Sequence, residues 1–377
     1  MRVLVVSGIW PPDVGGPASH APDVAQFLLA RGHEVEIVTT ADAAPAVEAY
    51  PVRWISRSLP VGVRHLRGLA LIRSRARRAD VVYTTGMFGR SAAGALAARR
   101  PYVVKLTADP AFERTRRRGL VAGDVEDFQR GGGGPAGFVL RRARDAELRR
   151  AAYVFCPSAY LRRLVLAWGI APERVSVLPN PVPSIPELPA REELRRTFGL
   201  NGATLAFAGR LTAQKSLGRA LESVAAAEGV RLVIAGDGPD RAQLEQRVQE
   251  LGIGERVEFL GSQPRRRVVE LFRAADAAIL SSSWENFPHT VVEALAVGTP
   301  VLAMEAGGVG EVVRDGVNGL LVPPDDGARL TEAVRRYFAD DALRERLRAA
   351  AASSVAAYAP ERVFGELETT LRRVARA

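Results

Sequence analysis

A chain of 377 residues is too long for one ordinary core, and its 47% apolar content suffices for two packed domains. No run approaches the ~18–20 apolar residues of a membrane span, and a single cysteine, Cys156, excludes an internal disulfide framework and fits a reducing cytoplasm. The net charge of +10 is uneven, since residues 1–190 carry 27 Arg+Lys against 16 Asp+Glu while residues 191–377 carry 25 against 26.

The chain opens on MRVLVVSGIW, an apolar run that reads as a buried first strand over 2–7 and not as a secretory signal. The loop IWPPDVGGPASH follows, then a helix over 18–30 and a strand over 35–39. Gly15 and Gly16 let backbone approach a ligand at the C-terminal end of a parallel strand. The GxGxxG spacing is absent, which argues against a nicotinamide enzyme. His20 lies just inside the helix, where a lone histidine is more often structural than catalytic. Further strands are expected at 52–55, 81–84, 102–106, 154–156 and 175–178, with helices between them. Strand alternating with helix means a parallel, doubly wound sheet.

Basic clusters at 64–78, 114–118 and 141–150 hold the positive excess. Such a face attracts anionic lipid, nucleic acid or phosphorylated substrates, unless its arginines are simply solvated. No aromatics interleave with them, which argues against single-stranded nucleic acid. Leu66, Leu69, Leu71 and Ile72 among arginines suit either a helix lying on an anionic membrane or one packed on the core. The segment 116–137, with four consecutive glycines from Gly131, is expected to be a mobile surface loop. Five prolines between Pro179 and Pro189 form the best linker candidate, a stiff one. The strand–helix rhythm then restarts at 205–208, 231–235, 257–260, 277–280, 301–304 and 320–322, and the tail from 330 is helical with a break at Tyr358 and Pro360.

The chemistry gathers in this second half. In AFAGRLTAQKS, Arg210 and Lys215 follow a strand end and could clamp a diphosphate, one bidentate and one as a point charge. Only Lys105 and Lys215 are lysines among 52 basic residues, which reflects either chance or a need for a compact ammonium at each position. In SSSWENFPHTVVEALAVGTP, Glu285 leaves a strand and Glu293 is expected about two turns along the next helix, with Pro288 in its first turn. The helix N-terminus offers unpaired amides to an anion. Taken alone, the stretch fits a capped core helix and a sugar-nucleotide site equally. FLGSQ, 259–263, ends another strand and suits reading a base edge.

The set GRLTAQK, VIAGDGP, VEFLGS, the Glu285/Glu293 pair, GTPVLAMEAGGVGEVV and DGVNGLLVPPDD resembles the family 4 nucleotide-sugar glycosyltransferases. PPDVGGPASH, RGHEVEIVTT and PSAYLRRLVLAWGIAPERVSVLPNPV extend the resemblance to the N-terminal half. It implies an α/β GT-B fold, two Rossmann-like doubly wound domains facing a central cleft. Residues 1–182 would hold the acceptor and 183–359 the nucleotide sugar, with a last helix over 360–377 packing back on the first domain. It implies retaining transfer of a hexose-type sugar from a UDP-sugar to a hydroxyl of a glycan, lipid or small molecule, with no metal or cofactor.

By the same resemblance Arg210 and Lys215 bind the donor diphosphate, Glu293 the ribose, and Glu285 the sugar hydroxyls near the anomeric carbon. Backbone of Asn286, Phe287, Pro288, His289 and Thr290 lines the donor, and Gly15 and Gly16 approach the diphosphate. His20, Lys105 and Asp109 fall on the acceptor side. Many family members carry a histidine where KLTADPAFER has Asp109. A carboxylate there could accept the acceptor proton or cap the following helix, and Lys105 could balance it. A sugar-nucleotide epimerase and a non-catalytic binding protein with a basic face are the competing classes. The expected setting is the cytoplasm, with peripheral contact at the inner membrane face.

Overall fold

The computed structural model describes residues 1–13, 16–121, 123–185 and 187–377, with side chains of the first helix described from His20 onward. The chain forms two compact units, 1–180 with 361–377, and 181–360. In the first, seven parallel strands stand in the order β3-β2-β1-β4-β5-β6-β7. They are β1 (Arg2–Val6), β2 (Glu34–Ala41), β3 (Val52–Ser56), β4 (Val81–Thr84), β5 (Tyr102–Lys105), β6 (Tyr153–Cys156) and β7 (Val175–Val177). Val3 pairs with Val35 on one side and Val81 on the other. The central strands are largely apolar, with Thr84 of β4 and Lys105 of β5 buried among them, because helices cover both sheet faces.

The second unit has six parallel strands in the order β10-β9-β8-β11-β12-β13. These are β8 (Thr204–Ala208), β9 (Arg231–Ala235), β10 (Val257–Gly261), β11 (Ala277–Leu280), β12 (Val301–Met304) and β13 (Gly319–Val322). Side chains alternate across a strand, and the cores follow that period. Ala206, Ala208, Ala278 and Leu280 join one cluster, while Leu205, Phe207, Ala277 and Ile279 join the other. The expected strands are therefore present as two Rossmann-like sheets.

The segment 116–137 departs from the expected mobile loop. It contains a short helix, Val125–Gln129, and Gly134 opens the helix Gly134–Arg149. Val125 and Phe128 are buried. Gly131, Gly133 and Gly134 take φ of +118°, +83° and +58°, so the glycines make a tight turn that other residues would strain. Arg141 ties it down, donating to the carbonyls of Phe128 at 2.9 Å and Gly132 at 2.7 Å.

Candidate active site

In the second unit strand order reverses between β8 and β11. At such a reversal the loops leaving the two strands part and open a crevice at the C-terminal sheet edge. The loop after β8 carries Arg210 and Lys215, and the loop after β11 carries Glu285 to Thr290. The cation pair and the acidic stretch, 70 positions apart at their contact, thus share one edge.

Lys215 ends a one-turn helix, Ala213–Lys215, and its ammonium bonds the Glu285 carboxylate, with side-chain exposures of 18% and 9%. Ser282 Oγ donates to the same carboxylate oxygen at 2.9 Å. The two loops are stitched by Ser281 Oγ to the Lys215 carbonyl at 3.0 Å, Ser283 N to the Gln214 carbonyl at 2.9 Å and Gln214 Nε2 to the Trp284 carbonyl at 2.7 Å. Arg210 is exposed, and among the described residues its guanidinium has no hydrogen bond or ion pair. The backbone is tight as well. Gly308 N donates to the Glu285 carbonyl at 2.9 Å, and a Cβ on Gly307, whose φ is +60°, would collide with that oxygen.

The helix after this loop runs His289–Ala296, with Pro288 as its N-cap. Pro288 therefore sits one position before the first turn, and Glu293 lies about one turn in, not two. The Pro288 carbonyl accepts from Val291 N at 3.1 Å and Val292 N at 3.3 Å. First-turn amides lack intrahelical acceptors and suit an anion. Asn286 and Phe287 are buried. The Phe287 ring meets Tyr358 edge-on at 5.7 Å and His289 at 6.0 Å, so its side chain is core and only its backbone can serve a ligand. Thr290 is half-buried.

Glu293 is buried and accepts from Arg265 Nε at 3.0 Å. Burial raises its carboxyl above the usual range and Arg265 opposes the rise. Arg265 was not legible in the sequence. It stands 28 positions before Glu293, in an RRR run that reads as a solvated helix face.

The N-terminal expectations need correction. Gly15 lies outside the described residues, and Gly16 opens the helix Gly16–Ala30. His20 is buried, bonded through Nε2 to the Tyr83 hydroxyl at 2.8 Å and packed on Phe364 at 5.8 Å. That is a core place. Lys105 is fully buried in β5 and donates to the carbonyls of Leu178 and Pro179 just before the linker. It does not balance Asp109. Burial brings its ammonium down to about 7.

Asp109 takes the capping alternative. It is the N-cap of the helix Pro110–Arg117, accepting from Ala111 N at 2.8 Å and Phe112 N at 3.3 Å. Its other oxygen takes Gln129 Nε2 at 2.9 Å and Arg144 Nη1 at 2.5 Å. The Arg144 guanidinium stacks 3.6 Å over Trp168, whose Nε1 donates to Gln129 Oε1 at 2.8 Å. A carboxylate with no exposure and four donors is saturated. It is a structural group and not a base facing an acceptor.

Among the described residues no three His, Cys, Asp or Glu side chains gather as a metal cluster, and no helix is long and apolar enough to cross a membrane.

Two family descriptions match the chain, "Glycosyl transferase 4-like domain" over residues 15–181 and "Glycosyl transferases group 1" over 190–354. A D-inositol 3-phosphate glycosyltransferase of Xylanimonas cellulosilytica is 31% identical, covering 90% of this chain and 87% of its own. Among solved structures, Anabaena HepE in complex with UDP superposes with a TM-score of 0.81 at 21% identity, covering 99% of this chain and 100% of that one. Sucrose-phosphate synthase of Thermosynechococcus elongatus reaches 0.82 at 20% identity, covering 99% and 98%. Similarity over nearly the whole length, on two Rossmann-like units, means that the chain belongs to the family 4 glycosyltransferases and has their GT-B fold.

Proposed function

We propose that this glycosyltransferase moves a hexose from a UDP-sugar to an acceptor hydroxyl with retention of anomeric configuration, and without a metal. The observation that carries the reading is the meeting of Lys215, Glu285 and an anion-binding helix N-terminus at the strand-order reversal of one sheet. HepE, of the same fold, has been solved with UDP and with UDP-glucose, which supports the choice of base.

In this reading Arg210 grips the diphosphate as a fork, and Lys215 moves its charge from Glu285 onto the phosphates. Released in part from Lys215, Glu285 orients hydroxyls of the donor sugar. The amides at the start of the helix His289–Ala296 meet donor oxygens, and Glu293 takes the ribose. The two cations neutralise the leaving group, so no divalent ion is required. The sugar C1–O bond to phosphate breaks as the bond to the acceptor oxygen forms on the same face. The acceptor proton passes to the departing phosphate oxygen, so no separate protein base is needed. Of the residues the sequence offered for an interfacial helix Ile72 is fully buried and Leu66 exposed, and exposed Val61, Val63 and Leu66 beside Arg64 and Arg67 support a peripheral contact with anionic membrane, which vesicle co-sedimentation tests.

Thermal-shift screening against UDP-, GDP-, ADP- and TDP-glucose is expected to favour the UDP compound, since a ligand of the folded state raises stability. Lys215→Ala should weaken UDP binding at least about tenfold, a loss of roughly 1.4 kcal/mol or more. Unchanged affinity by calorimetry would sink the diphosphate assignment. NMR of the product gives the anomer, and an inverted linkage contradicts retention. Activity should survive chelation by EDTA.

A further inference from the structure

The loop after β11 has a second support, away from Lys215. Toward β8 it is stitched through Gln214, Ser281 and Ser283. A separate contact comes from the buried ring of Phe287, which meets Tyr358 at 5.7 Å between centroids and 89° between planes. Tyr358 ends a one-turn helix, Ala356–Tyr358, two positions before Pro360, where the chain leaves the second unit.

Each group of Tyr358 serves a different segment. The ring meets Phe287, in the edge-on geometry that aromatic pairs favour. The hydroxyl donates to the Glu311 carbonyl at 3.0 Å. Burial, and then Glu311, raise this phenol above its ordinary value, so it remains a donor at neutral pH. Glu311 ends the one-turn helix Val309–Glu311, directly after Gly307 and Gly308, which contact the Glu285 carbonyl. The Tyr358 carbonyl accepts from Val182 N at 2.8 Å. Val182 follows Pro181, where the chain enters the unit. The entering and leaving segments are therefore bonded to each other at the residue whose ring supports the loop. Close-packed groups pass a displacement on instead of absorbing it. A shift of Phe287 as the neighbouring amides take up a ligand reaches Tyr358, and through its carbonyl Val182.

We infer that Tyr358 is a positioning residue for transfer, one that sets the donor loop and ties it to the segments by which the chain enters and leaves the second unit. This role rests on the proposed function in taking 285–290 as the donor loop. Donor occupancy and the order of the entering segment then depend on each other, and by linkage the dependence runs both ways.

Hydrogen exchange of the full chain, read by mass spectrometry with and without saturating UDP, tests the role on peptides covering 181–185 and 285–296. UDP should slow exchange in both. In Tyr358→Leu it should still slow 285–296 and no longer slow 181–185. Tyr358→Phe keeps the ring and the carbonyl, and should match the parent at 181–185. A merely structural role would alter exchange without UDP and leave the difference made by UDP in place. UDP affinity by calorimetry should fall about three- to tenfold in Tyr358→Leu, the range that an edge-to-face pair is worth, and return to within about twofold of the parent in Tyr358→Phe. Phe287→Leu breaks the same contact from the loop, and so decides the matter even if Tyr358→Leu does not fold. The two losses of affinity should not add in the double variant. Tyr358 loses the role if UDP leaves 181–185 unmoved in the parent, if either leucine variant keeps the protection there, or if the two losses add. The parent separates this from the donor reading. Protection at 285–296 without protection at 181–185 refutes the role of Tyr358 alone, whereas no protection at 285–296 refutes the donor loop and the role with it.

Discussion

Glu293 is a carboxylate that burial pushes toward the neutral form while one cation, Arg265, pulls it back. In the proposed role of ribose ligand Glu293 must accept hydrogen bonds, so it would work ionised. Removing Arg265 leaves the burial unopposed and raises the carboxyl further. The Arg265→Ala enzyme should therefore lose kcat/KM for donor at a higher pH than the parent, with the acid limb displaced upward and the alkaline side unmoved. Superimposable profiles would show that Arg265 does not hold Glu293. Asp109 makes the opposite prediction. Asp109→Asn takes a carboxylate from the buried Arg144, which keeps Asp145 as its remaining acid, a loss of about 1–3 kcal/mol to the first unit. UDP affinity should not change. A collapse of kcat with the unfolding midpoint in place would return Asp109 to the chemistry. The sequence left its cap and base roles open for a physical reason. The groups that decide between them, Gln129 and Arg144, stand 20 and 35 positions away and come together only through packing.

Elements were more legible than partnerships. A parallel strand covered on both faces is largely apolar, and such runs mark most strands of both sheets directly in the sequence, although β2 (EVEIVTTA) and β3 (VRWIS) carry polar residues. Even the side-chain alternation that splits the two cores of the second unit follows from period two. What the runs do not report is how loops meet. Residues 131–134 look like a flexible tract, yet positive φ at three of those glycines folds them into a turn between helices. Gly307 is the same device beside the site. Its φ of +60° and its contact with the Glu285 carbonyl let the loop after β12 press on the loop after β11. Gly307→Ala adds strain of about 1–3 kcal/mol for the conformation alone and must shift one loop off the other. The KM for donor should rise several-fold with a modest fall in Tm. An unaltered KM would mean that the two loops move independently of donor binding.

At the scale of the whole molecule, the chain leaves the first unit after Asn180 and returns to it after Pro360. The returning helix, Pro360–Arg376, completes a core it does not adjoin in sequence. Val363, Phe364, Leu367, Leu371 and Val374 are buried with Val3, Val5 and Leu28. Glu368 fastens the same helix, accepting from His33 at 2.9 Å, Arg31 at 3.2 Å and Arg372 at 2.6 Å. Burial would raise this carboxyl, but the bonds from His33, Arg372 and Arg31 bring it to about 2. A depressed carboxylate stabilises above its unfolded value and loses that contribution only as pH falls toward about 2, so the clasp is intact at neutral pH. Burying those five side chains contributes on the order of 10 kcal/mol, comparable with the whole stability of a domain, about 5–15 kcal/mol. A chain ending at Pro360 should therefore keep a donor unit and lose a folded first unit. Calorimetry of the full chain should show a transition that UDP raises and one that it leaves in place. In the truncated chain the second should vanish while UDP still raises the first. If both transitions persist, the terminal helix is an ornament on a core that stands without it.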